Sequence, residues 1–296
     1  MEKNMGSHSE VGLPPGSDDL LRSLIHERTG VFFDNGRCDL LTEKLAPLVI
    51  DRGFSSFLDY YYLLKYDEGA ADEWHKVMNA LSVPETYFWR EIDQLRALVE
   101  VIIPEWFSSR RLEPFRIWSA ACATGEEPLT IAMLLNERGW FERGAIEILA
   151  TDASSSAVAK AQRGIYRERS FRSLPQELRS KYFVPDSGPS TWQVNEKLHR
   201  KIRWGVANLM DEAQIAALAS ANAIFCRNVF IYFSENTISK AVSSFARYIR
   251  PPGYLFIGVS ESILRLTTRF TLEEIGNAFV YVKADGKPST ASRHAH

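Results

Sequence analysis

Apolar positions recur at helical spacing through the first part of the chain: Leu20, Leu21, Leu24 and Ile25, then Leu40, Leu41, Leu45 and Leu48, then Phe57, Leu58, Tyr61 and Leu64. Each set forms one stripe on a helix, and stripes of this kind must pack against one another, so residues 18–85 are expected to form a small all-helical domain. Breaks fall at Asp34-Asn35-Gly36 and Arg52-Gly53, and Ser17-Asp18-Asp19 offers an N-terminal cap. Val83-Pro84-Glu85 ends this region, and Asp93 to Trp106 reads as one more helix, with Pro104 near its close.

The pattern then changes period. Short apolar runs at Phe115 to Ser119, Ile146 to Thr151, Lys201 to Val206, Ala223 to Cys226 and Tyr254 to Val259 alternate with helical patterns at Leu129 to Arg138, Ser154 to Arg163 and Thr237 to Ile249. Strands alternating with helices predict an α/β domain over 86–283, a doubly wound and mainly parallel sheet with helices on both faces. Two further strand-like runs, around Phe270 and from Ala278 to Lys283, predict an antiparallel edge pair. The stretch from about 166 to 198 interrupts the alternation with Pro175, Pro185, Gly188 and Pro189, and reads as a small inserted β-subdomain. Residues 1–17 and 284–296 read as flexible tails.

Composition narrows the classes. The 296 residues are 45% hydrophobic with a formal net charge of −2, enough for a sizeable core and without a global nucleic-acid signal. Charge is uneven: residues 1–85 carry 15 acids against 8 bases, whereas 160–205 carry 11 bases against 4 acids, a candidate basic patch. Cys38, Cys122 and Cys226 lack metal-ligand spacing and read as reduced thiols, with no metal expected. With no charged start plus apolar run, and no apolar stretch approaching the roughly 20 residues of a membrane span, a soluble cytoplasmic protein is expected.

The chemistry concentrates at predicted strand ends, where doubly wound sheets bind ligands. Trp118-Ser119-Ala120-Ala121-Cys122-Ala123-Thr124-Gly125-Glu126-Glu127-Pro128 reads as strand, tight small-residue turn, then helix. Backbone in such a turn can approach a nucleotide, but Glu126 and Glu127 stand where a phosphate site has glycines or a lysine. Carboxylates there repel phosphate and attract an ammonium or sulfonium. Asp152 closes the next strand, 25 positions after Glu127, and suits either the two hydroxyls of a ribose or the cap of the following helix. Asn208, in Ala207-Asn208-Leu209-Met210, can cap a helix or meet an adenine edge. A buried run also leads straight into Arg227 and Asn228, and Tyr87-Phe88-Trp89 places three aromatics beside Arg90.

Together the blocks PETYFWRE, WSAACATGEEPLTIAM, ILATD, ANL and FCRNVFIYF resemble those of the CheR-type chemotaxis-receptor methyltransferases, in the family's order and across residues 18–283. The resemblance implies an N-terminal helical domain, a class I methyltransferase sheet with an inserted β-subdomain, and S-adenosyl-L-methionine as cofactor, leaving S-adenosyl-L-homocysteine as product. It further implies that Arg90 binds the cofactor's carboxylate, Glu127 its ammonium (with Glu126 the neighbouring possibility) and Asp152 the ribose. Asn208 and Leu209 would border the adenine, Thr86 would lie near the amino-acid end, and Arg227 and Asn228 would line the mouth. Pro84 replaces the Asn of many relatives, removing one side-chain hydrogen bond to the cofactor.

The implied reaction is methyl transfer to glutamate side chains of chemotaxis receptors, with Arg227 and Tyr232 positioning the acceptor carboxylate. A glutamate with a pKa of about 4.3 is already ionised at neutral pH, so no strong base is required. The expected partner is the receptor's acid-rich cytoplasmic helices, steered by Arg163, Arg167, Arg169, Arg172 and Arg179 and with Arg37, Lys44 and Arg52 sharing a further basic face; neither nucleic acid nor membrane insertion is expected, and the protein should act as a monomer. The competing readings are a class I methyltransferase acting on another protein or a small molecule, a non-catalytic CheR-like binding module, and a dinucleotide oxidoreductase, the last disfavoured by the missing GxGxxG pattern.

Overall fold

The computed structural model describes residues 17–109, 111 and 113–283, so both predicted tails lie outside the described residues apart from Ser17. The chain divides into two compact units, one ending at Ser82 and the next beginning at Val83.

The first unit is all helical: α1 (Ser17–Thr29), α2 (Cys38–Asp51), α3 (Phe57–Tyr66) and α4 (Ala71–Leu81). The chain reverses at Gly53, whose φ of 73° is one an L side chain resists, and Ser56 then caps α3 by accepting from Asp59 N at 3.2 Å. The apolar stripes meet in one core of Leu21, Ile25, Leu41, Leu45, Val49, Phe57, Leu64 and Val77.

The second unit opens with one irregular helix. Helices α5 (Ile92–Arg96) and α6 (Ile103–Ser108) are joined by a π-helical turn over Ala97–Ile102. Pro104 explains the widening, because it cannot donate to the ladder and its ring crowds the preceding turn, so Ile103 N reaches back five residues to Leu98 O.

Strands β1 (Phe115–Ala120), β2 (Ile146–Asp152), β6 (Ile202–Val206), β7 (Ala223–Phe225), β8 (Tyr254–Phe256), β9 (Phe270–Ile275) and β10 (Ala278–Lys283) form a seven-stranded sheet in the order β6-β2-β1-β7-β8-β10-β9. The first five are mutually parallel, and β10 runs antiparallel to both β8 and β9. Alternation along β1 sends Phe115 and Ile117 into one core layer and Trp118 and Ala120 into the other, and Phe225 and Ile224 divide in the same way on β7. Chain order reverses between β1 and β7, so the switch-point crevice lies beyond their carboxyl ends.

Strands β3 (Ile165–Arg167), β4 (Phe183–Pro185) and β5 (Thr191–Val194) form a separate antiparallel sheet, β3-β5-β4. This is the inserted subdomain, and its aromatic core includes Phe88, whose ring lies 4.8 Å from Tyr166 and 5.0 Å from Phe183. Among the described residues no helix is long and apolar enough to cross a membrane.

Candidate active site

Strand β1 stops at Ala120 because the residues after it leave extended space. Ala121 and Ala123 take positive φ of 60° and 48°, and Gly125 takes 96°. Small side chains minimise the cost of such a path, and a Cβ on Gly125 would also stand 2.9 Å from the Trp204 ring. Asp152, at the end of β2, secures the turn: Oδ2 accepts from Ala123 N at 2.9 Å and Oδ1 from Ser154 N at 2.8 Å. Ser154 then caps the helix Ser155–Arg163 through its own side chain. Asp152 therefore organises both the turn and the helix start, and its remaining lone pairs can still accept from hydroxyls. Burial pushes its carboxyl above the usual range, against the pull of the backbone bonds.

The two glutamates of helix α7 (Glu126–Glu137) separate cleanly. Glu126, 2% exposed, turns to the inserted subdomain and accepts from Thr124 Oγ1 at 2.6 Å and Ser170 Oγ at 2.9 Å. Glu127 accepts from Ser119 Oγ at 2.6 Å and stands 3.2 Å from Arg227 Nη1. Burial raises both carboxyls; hydroxyls oppose it at Glu126, and Arg227 followed by Ser119 at Glu127. Only Glu127 lies in the cluster with the strand-end cation.

Arg227 follows β7 with its side chain 3% exposed. Its Nη2 donates to Arg90 O at 2.8 Å and to Glu91 Oε2 at 3.2 Å, while Nε is buried without a partner among the described residues. Asn228, at φ 59°, donates Nδ2 to Glu91 Oε1 at 3.2 Å and its backbone N to Glu261 Oε2 at 2.9 Å. Glu261 also accepts from Gly258 N at 2.7 Å and Ile231 N at 3.2 Å, tying the loop after β8 to the segment after β7. A Cβ on Gly258 would meet Asn228 Nδ2 at 2.5 Å, so that approach requires glycine. Six non-glycine residues among those described have positive φ, and Trp89, Glu91, Ala121, Ala123 and Asn228 are all at this site, leaving only Ser190 elsewhere. Backbone strain concentrated in this way marks a site held in shape by its surroundings.

Glu91 and Glu261 are absent from the sequence-derived set. Glu91 is the last residue of PETYFWRE, beside Arg90, so its adjacency to a cation was a usable signal; Glu261 becomes visible only when β8 is placed beside β7. Of the other expected residues, Arg90 is partly buried, donates Nη1 to Glu85 O at 2.9 Å and lies 5.7 Å from the Tyr87 ring. Thr86 is half-buried on the preceding loop. Asn208 accepts from Met210 N at 3.0 Å, and Leu209 is buried. Tyr232 lies on a 3-10 turn, Phe230–Tyr232, half-buried, and its hydroxyl makes no hydrogen bond to the described residues.

The donor set fits a nucleoside that carries an amino acid. Burial leaves the Glu127 carboxyl raised even beside Arg227, Asp152 presents acceptors beyond the small-residue turn, and Arg227 holds a buried N–H without a partner among the described residues. Sheet order and site together define a class I methyltransferase fold with its cofactor crevice at the β1/β7 switch point. The chain belongs to the CheR methyltransferase family: residues 84–279 match its SAM binding domain and residues 18–82 its all-alpha domain. It is 35% identical over 264 residues to chemotaxis protein methyltransferase 2 of Vibrio cholerae serotype O1, covering 88% of this chain and 91% of that one. It is 32% identical over 259 residues to the chemotaxis protein methyltransferase of Escherichia coli K12, covering 85% and 86%. The protein is thus an S-adenosylmethionine-dependent methyltransferase.

Proposed function

We propose that this enzyme transfers the methyl group of S-adenosylmethionine to glutamate side chains on the cytoplasmic helices of methyl-accepting chemotaxis receptors, giving glutamyl methyl esters and S-adenosylhomocysteine. The observation that carries the reading is the charge-matched crevice, in which the partly buried Glu127 and the buried Asp152 are carboxyls raised by loss of solvent, with Arg90 partly buried nearby. The two relatives' names support a chemotaxis protein as the acceptor. The cofactor supplies an electrophilic methyl on a sulfonium, for which a carboxylate is a sufficient nucleophile.

The chain's task is therefore alignment and exclusion of water. Glu127 holds the ammonium, Arg90 the carboxylate and Asp152 the ribose hydroxyls, with Asn208 and Leu209 bordering the adenine. Thr86 lies toward the amino-acid end and Asn228 lines the mouth. Tyr232, half-buried with its hydroxyl unengaged, orients the acceptor carboxylate by a directional hydrogen bond. Arg227 is enclosed, so it acts from behind Glu127 and Glu91, lowering the cost of bringing another carboxylate to the mouth without pairing so strongly that it blunts the nucleophile.

Docking draws on the exposed Arg163, at the end of the helix Ser155–Arg163, and on the exposed Arg167, Arg169 and Arg172 of the inserted region, Arg172 also lying 3.7 Å from the Tyr87 ring. Arg179 is committed within the subdomain: it makes a two-pronged pair with Glu168 at 2.7 and 2.8 Å and lies 4.1 Å from the Trp192 ring. In the first unit Arg52 is bound to Glu73, and Lys44 Nζ donates to Ala80 O at 3.2 Å. The enzyme acts as a cytoplasmic monomer. The test is incubation with methyl-labelled S-adenosylmethionine and receptor-containing membranes: base-labile label on receptor-sized bands is expected, and absent or base-stable label would overturn glutamyl ester formation.

A further inference from the structure

Glu91 is bonded from three directions at the mouth of the crevice. Its backbone is left-handed, at φ 47° and ψ 53°, and its side chain is 14% exposed. Oε2 accepts from Arg227 Nη2 and from Val259 N, each at 3.2 Å, and Oε1 accepts from Asn228 Nδ2 at 3.2 Å. The carbonyl immediately before it, Arg90 O, accepts from the same Arg227 Nη2 at 2.8 Å. Arg227 is consequently stretched between two carboxylates, with Glu91 on one side and Glu127 3.2 Å away on the other.

The charge count matters more than the number of bonds. Arg227 is shared by two carboxylates, and the partly buried Arg90, whose Nε stands 3.8 Å from Glu91 Oε1, supplies the second guanidinium, so the cluster balances two acids against two bases and suits an amino acid that brings one ammonium and one carboxylate. If Glu91 were neutral, Arg227 and Glu127 would close as a balanced pair and present no net charge to an incoming cation. Glu261 does different work close by, since its partners are the backbone N–H groups of Asn228, Gly258 and Ile231 and it pairs with no cation among the described residues.

We infer that Glu91 is a positioning residue for the amino-acid end of the cofactor, acting through Arg227: it takes up part of the guanidinium's charge so that Glu127 keeps the negative potential that holds an ammonium. The inference rests on the assignment of Glu127 to that ammonium, and the test separates the two. Binding of S-adenosylhomocysteine and of 5′-methylthioadenosine, which shares the adenosine and thioether but lacks the amino-acid end, is measured by calorimetry on the full chain.

Glu91→Gln should weaken S-adenosylhomocysteine roughly tenfold, the scale of one charge-assisted interaction, and leave 5′-methylthioadenosine within about twofold. Glu91→Asp, which keeps the charge, should recover most of the loss, and it carries the test if Glu91→Gln fails to fold. Equal weakening of both ligands would reduce Glu91 to a structural brace, as expected of Glu261→Gln, and unchanged binding of S-adenosylhomocysteine would overturn the inference outright. If Glu127→Gln fails to erode the preference for S-adenosylhomocysteine over 5′-methylthioadenosine, the ammonium assignment itself falls, and the inference with it.

Discussion

Each unit encloses a glutamate, wholly at Glu73 and with the side chain still 17% exposed at Glu127, and the two behave in opposite ways. Glu73, in the helical unit, has a side chain 1% exposed and a full set of donors: Arg52 Nε at 2.7 Å with Arg52 Nη2 beside it, Tyr60 OH at 3.0 Å and Lys76 Nζ at 3.2 Å. Burial pushes its carboxyl up, but the bonds from Arg52, Lys76 and Tyr60 outweigh that and hold it below the usual range. Glu127 has one hydroxyl and a share of one arginine, and burial wins. A buried acid with two cations and a hydroxyl is a strut; one left short of positive charge is a place for a ligand to bring it.

The largest effect should come from breaking the strut. Glu73→Ala leaves the fully buried Tyr60 hydroxyl without its acceptor and opens a void, which should cost about 2–4 kcal/mol in urea unfolding. Calorimetric affinity for S-adenosylhomocysteine should be retained, and its loss would break the contrast. Glu127→Gln should do the reverse, weakening S-adenosylhomocysteine by about 10- to 100-fold, or roughly 1.4–2.8 kcal/mol, while the unfolding transition holds or rises because a buried charge has gone. A destabilised variant with intact affinity would turn Glu127 into a second strut.

Tyr232→Phe should lower kcat about tenfold, the weight of one hydrogen bond near 1.4 kcal/mol, with S-adenosylhomocysteine affinity unchanged. A matching loss of affinity would move Tyr232 from the acceptor side to the cofactor side.

The pH responses should also diverge. Glu73, depressed in the folded state, contributes stability that is present above its unfolded pKa near ~4.3 and is lost as pH falls through the lower folded value. Glu127 and Asp152 are raised, so the cost of burying their charge is absent below the unfolded values near ~4 and is fully imposed above the raised ones. In the proposed roles both must be ionised to hold the cofactor. Affinity should therefore fall as pH drops, beginning at a higher pH than an ordinary carboxylate would dictate and by at most about tenfold per unit for each group. Titrations of S-adenosylhomocysteine from about pH 7 downward would check this, and a profile flat to the ordinary carboxylate range of ~4 would refute the raised values. The smallest effect is Lys76→Ala, whose side chain is 49% exposed, expected below about 1 kcal/mol in the same urea assay.

Much of this was legible in the chain. Strand and helix periods located the sheet strands to within a few residues, because alternation and 3.6-residue stripes are local consequences of which faces are buried. The turn at 121–125 and Asp152 could be read from small residues and an acid at strand ends. The roles of Glu126 and Glu127 could not be divided, because adjacent helix positions point about 100° apart and only the neighbours on each side, Ser170 or Arg227, decide their chemistry. Arg227 could be placed at the mouth but its enclosure could not, since the groups that cover it come from residues 90 and 91, some 137 positions away.

Read alone, then, the residues decide the class of fold, the N-terminal helical domain and the β insertion, and a cation-seeking, phosphate-averse turn, because period, turn chemistry and charge are properties of short segments. Tertiary structure decides which acids meet which bases. That choice gives Glu73 a full set of donors and sets Glu127 beside Arg227 at the crevice, and it brings Glu91 and Glu261 to the same cluster, since the state of an enclosed carboxylate depends on partners that only folding brings within hydrogen-bond reach.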